Sequence, residues 1–362
     1  MPVINAQGNS TILGGSMLGE RVRVAMEASN RYFVDMRVLL ERAEQLVAEL
    51  VQCEAAYVTP GCAAALALGA AACLTGGDRG RMARLPDTAG LRHRLVIQSG
   101  HRYKYDHTAT ISGGCLVEAG YAGGTTAAQL AAALASPAAA LLFPAHLDGK
   151  EGTVGLRESI GLAHDRGVPV LVDAAAQIYP PERMRSWTQM GCDLVCFGAK
   201  YFGAPNSTGL LCGRHALVEA AATQGFIGFE YAQPPVFGRP LKLDRGEIIA
   251  VVVALREWLT LDHGDRIARV QARADALASR LAGVPGLTPS LVPQRHFGAP
   301  GLRVAVSSAS GTTADALAAD LKRGRPSIWA PVDGDALSLN LFTVPEGDEA
   351  LIAERLRALV VA

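Results

Sequence analysis

The chain has 362 residues, 49% of them hydrophobic and 19% charged, with 34 basic and 34 acidic side chains. That length fits two domains, or one large domain with an appendage, around a sizeable core. Zero formal charge leaves no footprint for nonspecific nucleic-acid binding, and no apolar run is long and unbroken enough for a membrane span.

Residues 1–20 are rich in Gly, Asn, Ser and Thr and read as an arm with special backbone needs, or as a tail. Helical spacing follows over 21–51 (Val22, Met26, then Leu39, Leu40, Ala43, Leu46, Val47, Leu50), with a break near Asn30 to Asp35. The stretch Tyr57-Val58-Thr59-Pro60-Gly61-Cys62-Ala63-Ala64 opens a small-residue helix over Ala64 to Leu74. A short strand, a Gly turn and a helix start make an anion site, because backbone N–H groups and the helix dipole point at the ligand. An ordinary capped helix would look the same locally. Residues 76–92 are polar and read as a loop.

Strand Arg94 to Gln98 leads into Ser99-Gly100-His101-Arg102-Tyr103-Lys104-Tyr105-Asp106-His107. His101 lies just past a strand end, where a histidine is either structural or functional. Glu118 ends a further apolar piece, Cys115 to Val117, and the Ala-rich run Ala131 to Ala135 reads as helix. Strand Ala140 to Phe143 precedes a loop that carries His146, and the helix Leu156 to Arg166 comes next. The apolar run Val168 to Val172 ends in Asp173, and Leu194 to Phe197 ends in Gly198-Ala199-Lys200. Strand and helix alternate as in a mainly parallel, helix-covered sheet. Ser207 to Gly213 reads as a returning strand, and 223–242 as a Gly/Pro/aromatic loop. Helices are expected from Glu247 to about Leu261 and from Arg266 to Leu281. From Val284 the pattern is that of a small α+β domain, with a strand over Gly301 to Val306 and helices over Thr313 to Arg323 and Asp348 to Val360.

The seven cysteines are odd in number and sit mostly in apolar runs, as reduced thiols of a cytoplasmic protein do. Cys192 and Cys196 lack a companion pair, so no metal is expected. The polar start MPVINAQGNS gives no signal-peptide pattern.

Open α/β sheets gather ligand chemistry outside the carboxyl ends of their strands. Asp173 and Lys200 each stand at such an end, among small residues. Pyridoxal phosphate needs both groups: a lysine for its aldehyde and an Asp for its pyridine nitrogen. The lysine then doubles as proton carrier. Taken singly, the Asp reads equally as a helix cap and the lysine as a surface residue.

The motifs Val172-Asp173-Ala174-Ala175-Ala176, Pro180-Pro181, Gly191-Cys192-Asp193-Leu194-Val195, Ala199-Lys200 and Ala204-Pro205-Asn206-Ser207-Thr208-Gly209 resemble the fold-type-I pyridoxal-phosphate superfamily. The resemblance lies in the selenocysteine-synthase-like branch of the aminotransferase class V neighbourhood. It runs from Val3 to the C-terminus and also covers Gly100-His101-Arg102 with Tyr105-Asp106, Arg239 to Ile248, and Arg325-Pro326-Ser327-Ile328.

The resemblance implies a large domain with a mainly parallel seven-stranded sheet and a small C-terminal α+β domain. Its expected divisions are 1–45 for the arm and first helices, 46–245 for the cofactor domain, and 246–362 for the linker helix and small domain. It implies a Schiff base at Lys200, Asp173 on the ring nitrogen, His101 stacked on the ring, and phosphate held by Gly61, Cys62 and Ala63, with Ala175 beside the ring. Asn5, Arg102, His146, Arg239 and Arg303 are candidate substrate contacts, with Arg325 a further possible anchor. The implied reaction is α,β-elimination from a small amino acid or amino sugar acid, of the ammonia-lyase type. Aminotransferase and racemase chemistry share its quinonoid intermediate and stay open, as does a non-catalytic binding protein. A homodimer or higher homo-oligomer is implied, and no nucleic-acid or membrane partner.

Three departures weaken the substrate side. A Ser-Gly-Gly-Lys becomes Phe197-Gly198-Ala199-Lys200, a Leu-Arg-Gly-Pro becomes Phe202-Gly203-Ala204-Pro205, and a Glu becomes Gln177.

Overall fold

The computed structural model describes residues 2–293 and 298–360. The chain forms two compact units. The larger is Leu18–Leu259; the smaller joins the segment up to Met17 to the chain from Thr260 onward. The expected first segment, 1–45, is therefore shared between them.

In chain order, β1 (Val3–Asn5) is followed by α1 (Glu20–Ser29), α2 (Met36–Val51), β2 (Ala55–Thr59), α3 (Gly61–Thr75), α4 (Arg79–Arg84), β3 (Arg94–Gln98), β4 (Cys115–Ala119), α5 (Ala127–Ala135) and β5 (Ala138–Pro144). Then come α6 (Leu156–His164), β6 (Val170–Asp173), α7 (Arg183–Gln189), β7 (Leu194–Gly198), β8 (Gly209–Gly213), α8 (His215–Thr223), α9 (Phe226–Tyr231) and α10 (Arg245–Thr260). The last part holds α11 (His263–Leu281), β9 (Leu287–Pro293), β10 (Pro300–Val306), α12 (Ala314–Arg323), β11 (Ser327–Trp329), β12 (Val332–Asp333), β13 (Ala336–Leu339) and α13 (Asp348–Val360).

The larger unit is built on a seven-stranded sheet of order β2-β8-β7-β6-β5-β3-β4. Only β8 runs against its neighbours; the other pairings, β7 to β6, β6 to β5, β5 to β3 and β3 to β4, are parallel. The expected mainly parallel seven-stranded sheet is thus present, with the returning strand where the sequence put it. Strands β5 to β8 are buried along their whole length, as near-continuous apolar runs require.

Helix α3 explains its own composition. From Ala64 onward it is buried on all sides except at half-buried Cys73, which is the behaviour of a helix that is apolar all round. A side chain at Gly69 would meet Leu171, Leu211 and Leu194 at 3.0, 3.3 and 3.4 Å. The helix therefore lies tight against β6, β7 and β8, and small residues let it do so.

The break between α1 and α2 is made by Asp35, whose carboxylate accepts from the N–H of Arg37 (2.9 Å) and Val38 (3.3 Å). Two expected loops contain short helices instead. Within 76–92, Asp78 caps α4 by accepting from Arg81 N–H at 3.1 Å. Within 223–242, α9 starts at Phe226 after the extended Gly225. Both helices are one to two turns long, too short to show a periodic apolar face.

The smaller unit pairs β1 with β11 in parallel and carries an antiparallel sheet of order β12-β13-β10-β9. Its core gathers Val270, Leu277, Leu302, Val304, Leu317, Leu321, Leu339 and Ile352. This is the expected small α+β domain, with β1 added from the chain start. Among the described residues, no helix is long and apolar enough to cross a membrane.

Candidate active site

The carboxyl ends of β6 and β7 put Asp173 and Lys200 in one place. Asp173 closes β6 and pairs in register with Cys196 on β7. The ladder continues past both strands: Ala174 N–H donates to Cys196 O and Gly198 N–H to Ala175 O, each at 3.0 Å. Lys200 follows in a single turn, Ala199–Phe202, closed by Gly203 at φ 88°. A side chain with a Cβ would be strained at that φ, which accounts for Gly203 at this position.

Asp173 is almost fully buried, and each of its oxygens is held. Oδ1 accepts from Ala175 N–H at 3.0 Å and from the Cys62 thiol at 3.5 Å. Oδ2 accepts from the Tyr103 hydroxyl. Burial, with the Asp173 charge beside it, pushes the Cys62 thiol well up, so it stays protonated and able to donate. The same two causes push Tyr103 up. Lys200 is lowered by burial, against a smaller opposing influence from Cys62. Lowering an amine raises its neutral, nucleophilic fraction near neutral pH.

The start of α3 supplies the third part. Pro60 offers no side-chain cap, and Gly61 (φ 82°), Cys62 and Ala63 keep some exposure while the rest of the helix is buried. A Cβ at Gly209, on the first residue of β8, would stand 2.5 Å from Gly61 C and 2.6 Å from Cys62 N. The absent side chain is what lets β8 and the helix start close up. Uncapped N–H groups at a helix start suit an anion. Amine, carboxylate and anion cradle together fit a phosphorylated pyridine aldehyde, and the buried glycine contact fits a cradle kept clear of side chains.

His101 is placed differently from the stacking expectation. It is fully buried, edge-on to Phe143 with centroids 4.7 Å apart. Gln98 is locked to Val154 through both ends of its amide, at 2.8 and 2.7 Å, and its remaining N–H faces His101 Nδ1 at 3.4 Å. Burial lowers His101 to about 4, and the charges that act on it are Asp148, Lys150 and His146, not Asp173. Tyr103 is the ring that reaches Asp173, through its hydroxyl, and the Asp173 charge also acts on His146 and Tyr201.

His146 is exposed and edge-on to Tyr103 at 5.3 Å, so of the candidate substrate contacts in the larger unit it is the one next to a residue that touches Asp173. Arg102 is held by Asp106 at 2.6 Å and by Glu118. Asp106 Oδ2 also accepts from Tyr103 N–H at 3.1 Å, so the Gly-His-Arg segment closes on itself and carries Tyr103 out to Asp173. Arg239 pairs with Glu230 at 3.0 Å. Asn5 and Arg303 belong to the smaller unit. There Asn5 accepts from Gln7 N–H at 2.9 Å, and Arg303 pairs with Asp335. Gln177 is buried, and its main-chain carbonyl accepts from Trp187 Nε1 at 3.4 Å. No group of His, Cys, Asp and Glu that would hold a metal is found among the described residues.

The sequence gives no role to Tyr103 or Tyr201, offers Tyr105 only as part of the Gly-His-Arg pattern, and offers Cys196 only as one of an incomplete metal pair. Tyr103 lies at an unspecified position of the Gly-His-Arg pattern, and Tyr201 adjoins the lysine. A cluster of tyrosines just past strand ends was the available signal.

Known proteins place these features in a family. The chain is 33% identical to 5'-C-glycyluridine monooxygenase-decarboxylase of a Streptomyces species, over all of this chain and 90% of that one. It is 31% identical to D-glucosaminate-6-phosphate ammonia lyase of Salmonella typhimurium, over 99% and 95%. A solved structure of D-glucosaminate-6-phosphate ammonia-lyase superposes with a TM-score of 0.85 at 30% identity, covering 99% of this chain and 95% of that one. Residues 35–284 match aminotransferase class-V as a family. The chain belongs to the aminotransferase class-V family and has the fold-type-I architecture of pyridoxal-phosphate enzymes.

Proposed function

We propose that the protein is a pyridoxal-phosphate-dependent lyase that removes ammonia from a small amino acid or amino sugar acid by α,β-elimination. The observation that carries this is the meeting of Asp173, Lys200 and the uncapped start of α3 at adjacent strand ends. The likeness to an ammonia lyase along nearly the whole chain supports the reaction type. The cofactor is pyridoxal 5'-phosphate, as in the family.

When bound, that cofactor supplies an electron sink for a bond broken at the substrate α-carbon. Lys200 would hold it covalently, Asp173 would keep the ring nitrogen protonated, and the N–H groups of Gly61, Cys62 and Ala63 would take its phosphate. Ala175 fixes Asp173 and keeps the neighbouring backbone close. Lys200 Nζ would take the α-proton once a substrate amine occupies the site. The β-substituent then leaves with its bonding electrons, and the unsaturated amine takes up water to give a keto acid and ammonia. A lysine lowered by burial is suited to both duties, since it accepts a proton without holding it too tightly. The ring-covering role expected of His101 would fall instead to Tyr103, whose hydroxyl meets Asp173, with His146 edge-on beside it. Residues 46–245 would be the cofactor-holding part of a cytoplasmic homodimer.

A second reading rests on the 33% identity to the monooxygenase-decarboxylase. There the bond to the carboxylate would break and dioxygen would accept the electrons.

The test is a visible absorbance band on adding pyridoxal phosphate, followed by borohydride reduction and peptide mapping. The modified residue is expected to be Lys200, and Lys200→Ala is expected to remain folded, lose the fixed adduct and lose on the order of 10^3-fold in turnover. An adduct on another lysine would overturn the assignment. Release of keto acid and ammonia in equal amounts supports the lyase; oxygen uptake with carbon dioxide release supports the second reading.

A further inference from the structure

The groups around Lys200 and Asp173 are rings. Tyr103 lies 5.3 Å from His146 and 6.3 Å from Tyr105 by ring centroids, at interplanar angles of 64° in both cases. Lys200 Nζ stands 5.3 Å from the centre of the Tyr201 ring, and Tyr105 and Asp173 both act on Tyr201. Tyr105 is 55% exposed and His146 is exposed as well. Tyr105 and His146 are thus the exposed rings of this cluster, and Tyr103 and Tyr201 the half-buried ones.

Among the described residues of the larger unit, the nearby cations already have contacts. Arg102 is shared between Asp106 and Glu118. Lys150 donates to Gly100 O at 2.6 Å. Lys104 lies over the Tyr105 ring, 5.5 Å from its centre. Although His146 is exposed, partial desolvation by its neighbours lowers it against the opposing charge of Asp173, which favours its neutral form. A phosphate ester carries nearly two negative charges and is held by charge-assisted donors, typically a guanidinium fork or several ammonium groups. Aromatic faces instead take flat, uncharged rings by stacking or edge contact.

We propose that this site takes an amino acid whose far end is a flat, uncharged ring, and that Tyr105 and His146 receive that ring. The proposal rests on the lysine-bound cofactor reading above and narrows its substrate class. It sets this chain apart from a relative whose name records a 6-phosphate.

The experiment uses the protein loaded with pyridoxal phosphate. Its visible band is first confirmed and shown to be fixed by borohydride. Binding is then followed by perturbation of that band, and by calorimetry for probes that lack an amine. The amino acid probes are D- and L-phenylalanine and D- and L-O-phosphoserine; the amine-free probes are uridine and inorganic phosphate. Phenylalanine is expected to bind at least about tenfold more tightly than phosphoserine, the ratio that one stacked ring supplies. Tyr105→Ala is expected to remove that advantage, and Tyr105→Phe to keep it. Uridine binding that Tyr105→Ala weakens, with phenylalanine weak, would identify the ring as a nucleobase; the reverse would identify a benzenoid ring. Phosphoserine binding more tightly than both ring probes overturns the proposal, and so does a Tyr105→Ala variant that moves all probes equally. Absence of the cofactor band overturns the underlying reading first, and is told apart from these outcomes because it occurs before any probe is added.

Discussion

Single side chains in this protein take their chemistry from burial before anything else. His101 has its ordinary value of 6.5 lowered to about 4 by desolvation, with Asp148 pulling the other way and Lys150 assisting. The unfolded chain therefore binds a proton on this residue at a pH where the folded chain does not. Stability rises with pH through that window and falls as pH drops from about 6.5 towards 4. The largest loss is about 3 kcal/mol, and about 2 kcal/mol of it falls between pH 7 and pH 5. Glu44 acts with the opposite sign. Burial and the charge of Glu41 raise its carboxyl from 4.5 to about 7, so its cost grows as pH rises through that range. The two trends partly cancel in the wild type. Urea unfolding at pH 5 and pH 7 should show His101→Gln more stable at pH 5 relative to pH 7 than the wild type is, by about 2 kcal/mol; an unchanged difference in that variant would refute the account. The same residue shows where reading the sequence stops. A position just past a strand end was legible, and it places Asp173 and Lys200 because both are backbone-fixed at the ends of buried strands. Whether His101 turns towards the ligand or back onto Phe143 depends on side-chain direction, which strand-end position alone does not encode.

Elements meet at this site by close backbone approach, so glycines carry as much information there as charged residues do. Gly209 begins β8 at the point where α3 begins, and a Cβ there would overlap Gly61 C and Cys62 N at 2.5 and 2.6 Å. Those are backbone atoms, so no side-chain rotation relieves the overlap. Gly209→Ala should push the first turn of α3 away from β8, cost about 1–3 kcal/mol in stability as overpacking does, and weaken cofactor binding beyond that. Thermal unfolding without cofactor and a cofactor titration measure the two parts separately. A variant with unchanged cofactor affinity would detach this contact from the phosphate cradle. At this scale most of the fold was readable. The long helices α2, α10, α11 and α13 announce themselves by spacing, and the buried strands by short β-branched runs between turns. The short helices α4 and α9 did not. Their existence is decided by a capping Asp78 and by the extended Gly225, not by any periodic face.

The whole molecule presents a surface that a lone chain explains poorly. Tyr32, Phe33, Val34 and Val38 are 70, 101, 42 and 53% exposed, and all lie on the break before α2 or on its first turn. Tyr231, at 65%, joins them, since the Arg37 guanidinium stands 5.9 Å from its ring centre. Large apolar residues exposed in one neighbourhood mark an interface. With no charge imbalance to favour nucleic acid, a second copy of the chain is the partner that fits the proposed homodimer. In a two-fold interface every residue is used twice, so one substitution is felt twice. Burying a Phe side chain contributes about 2 kcal/mol, so Phe33→Glu removes about 4 kcal/mol per dimer, a thousandfold or so in dimer Kd, before the cost of burying two carboxylates is added. Light scattering across a concentration series should show a dimer for the wild type and a monomer for Phe33→Glu at micromolar protein. Cofactor-free circular dichroism would confirm that the variant still folds. A wild type that stays monomeric, or a Phe33→Glu variant that stays dimeric, would assign this apolar patch to something other than self-association.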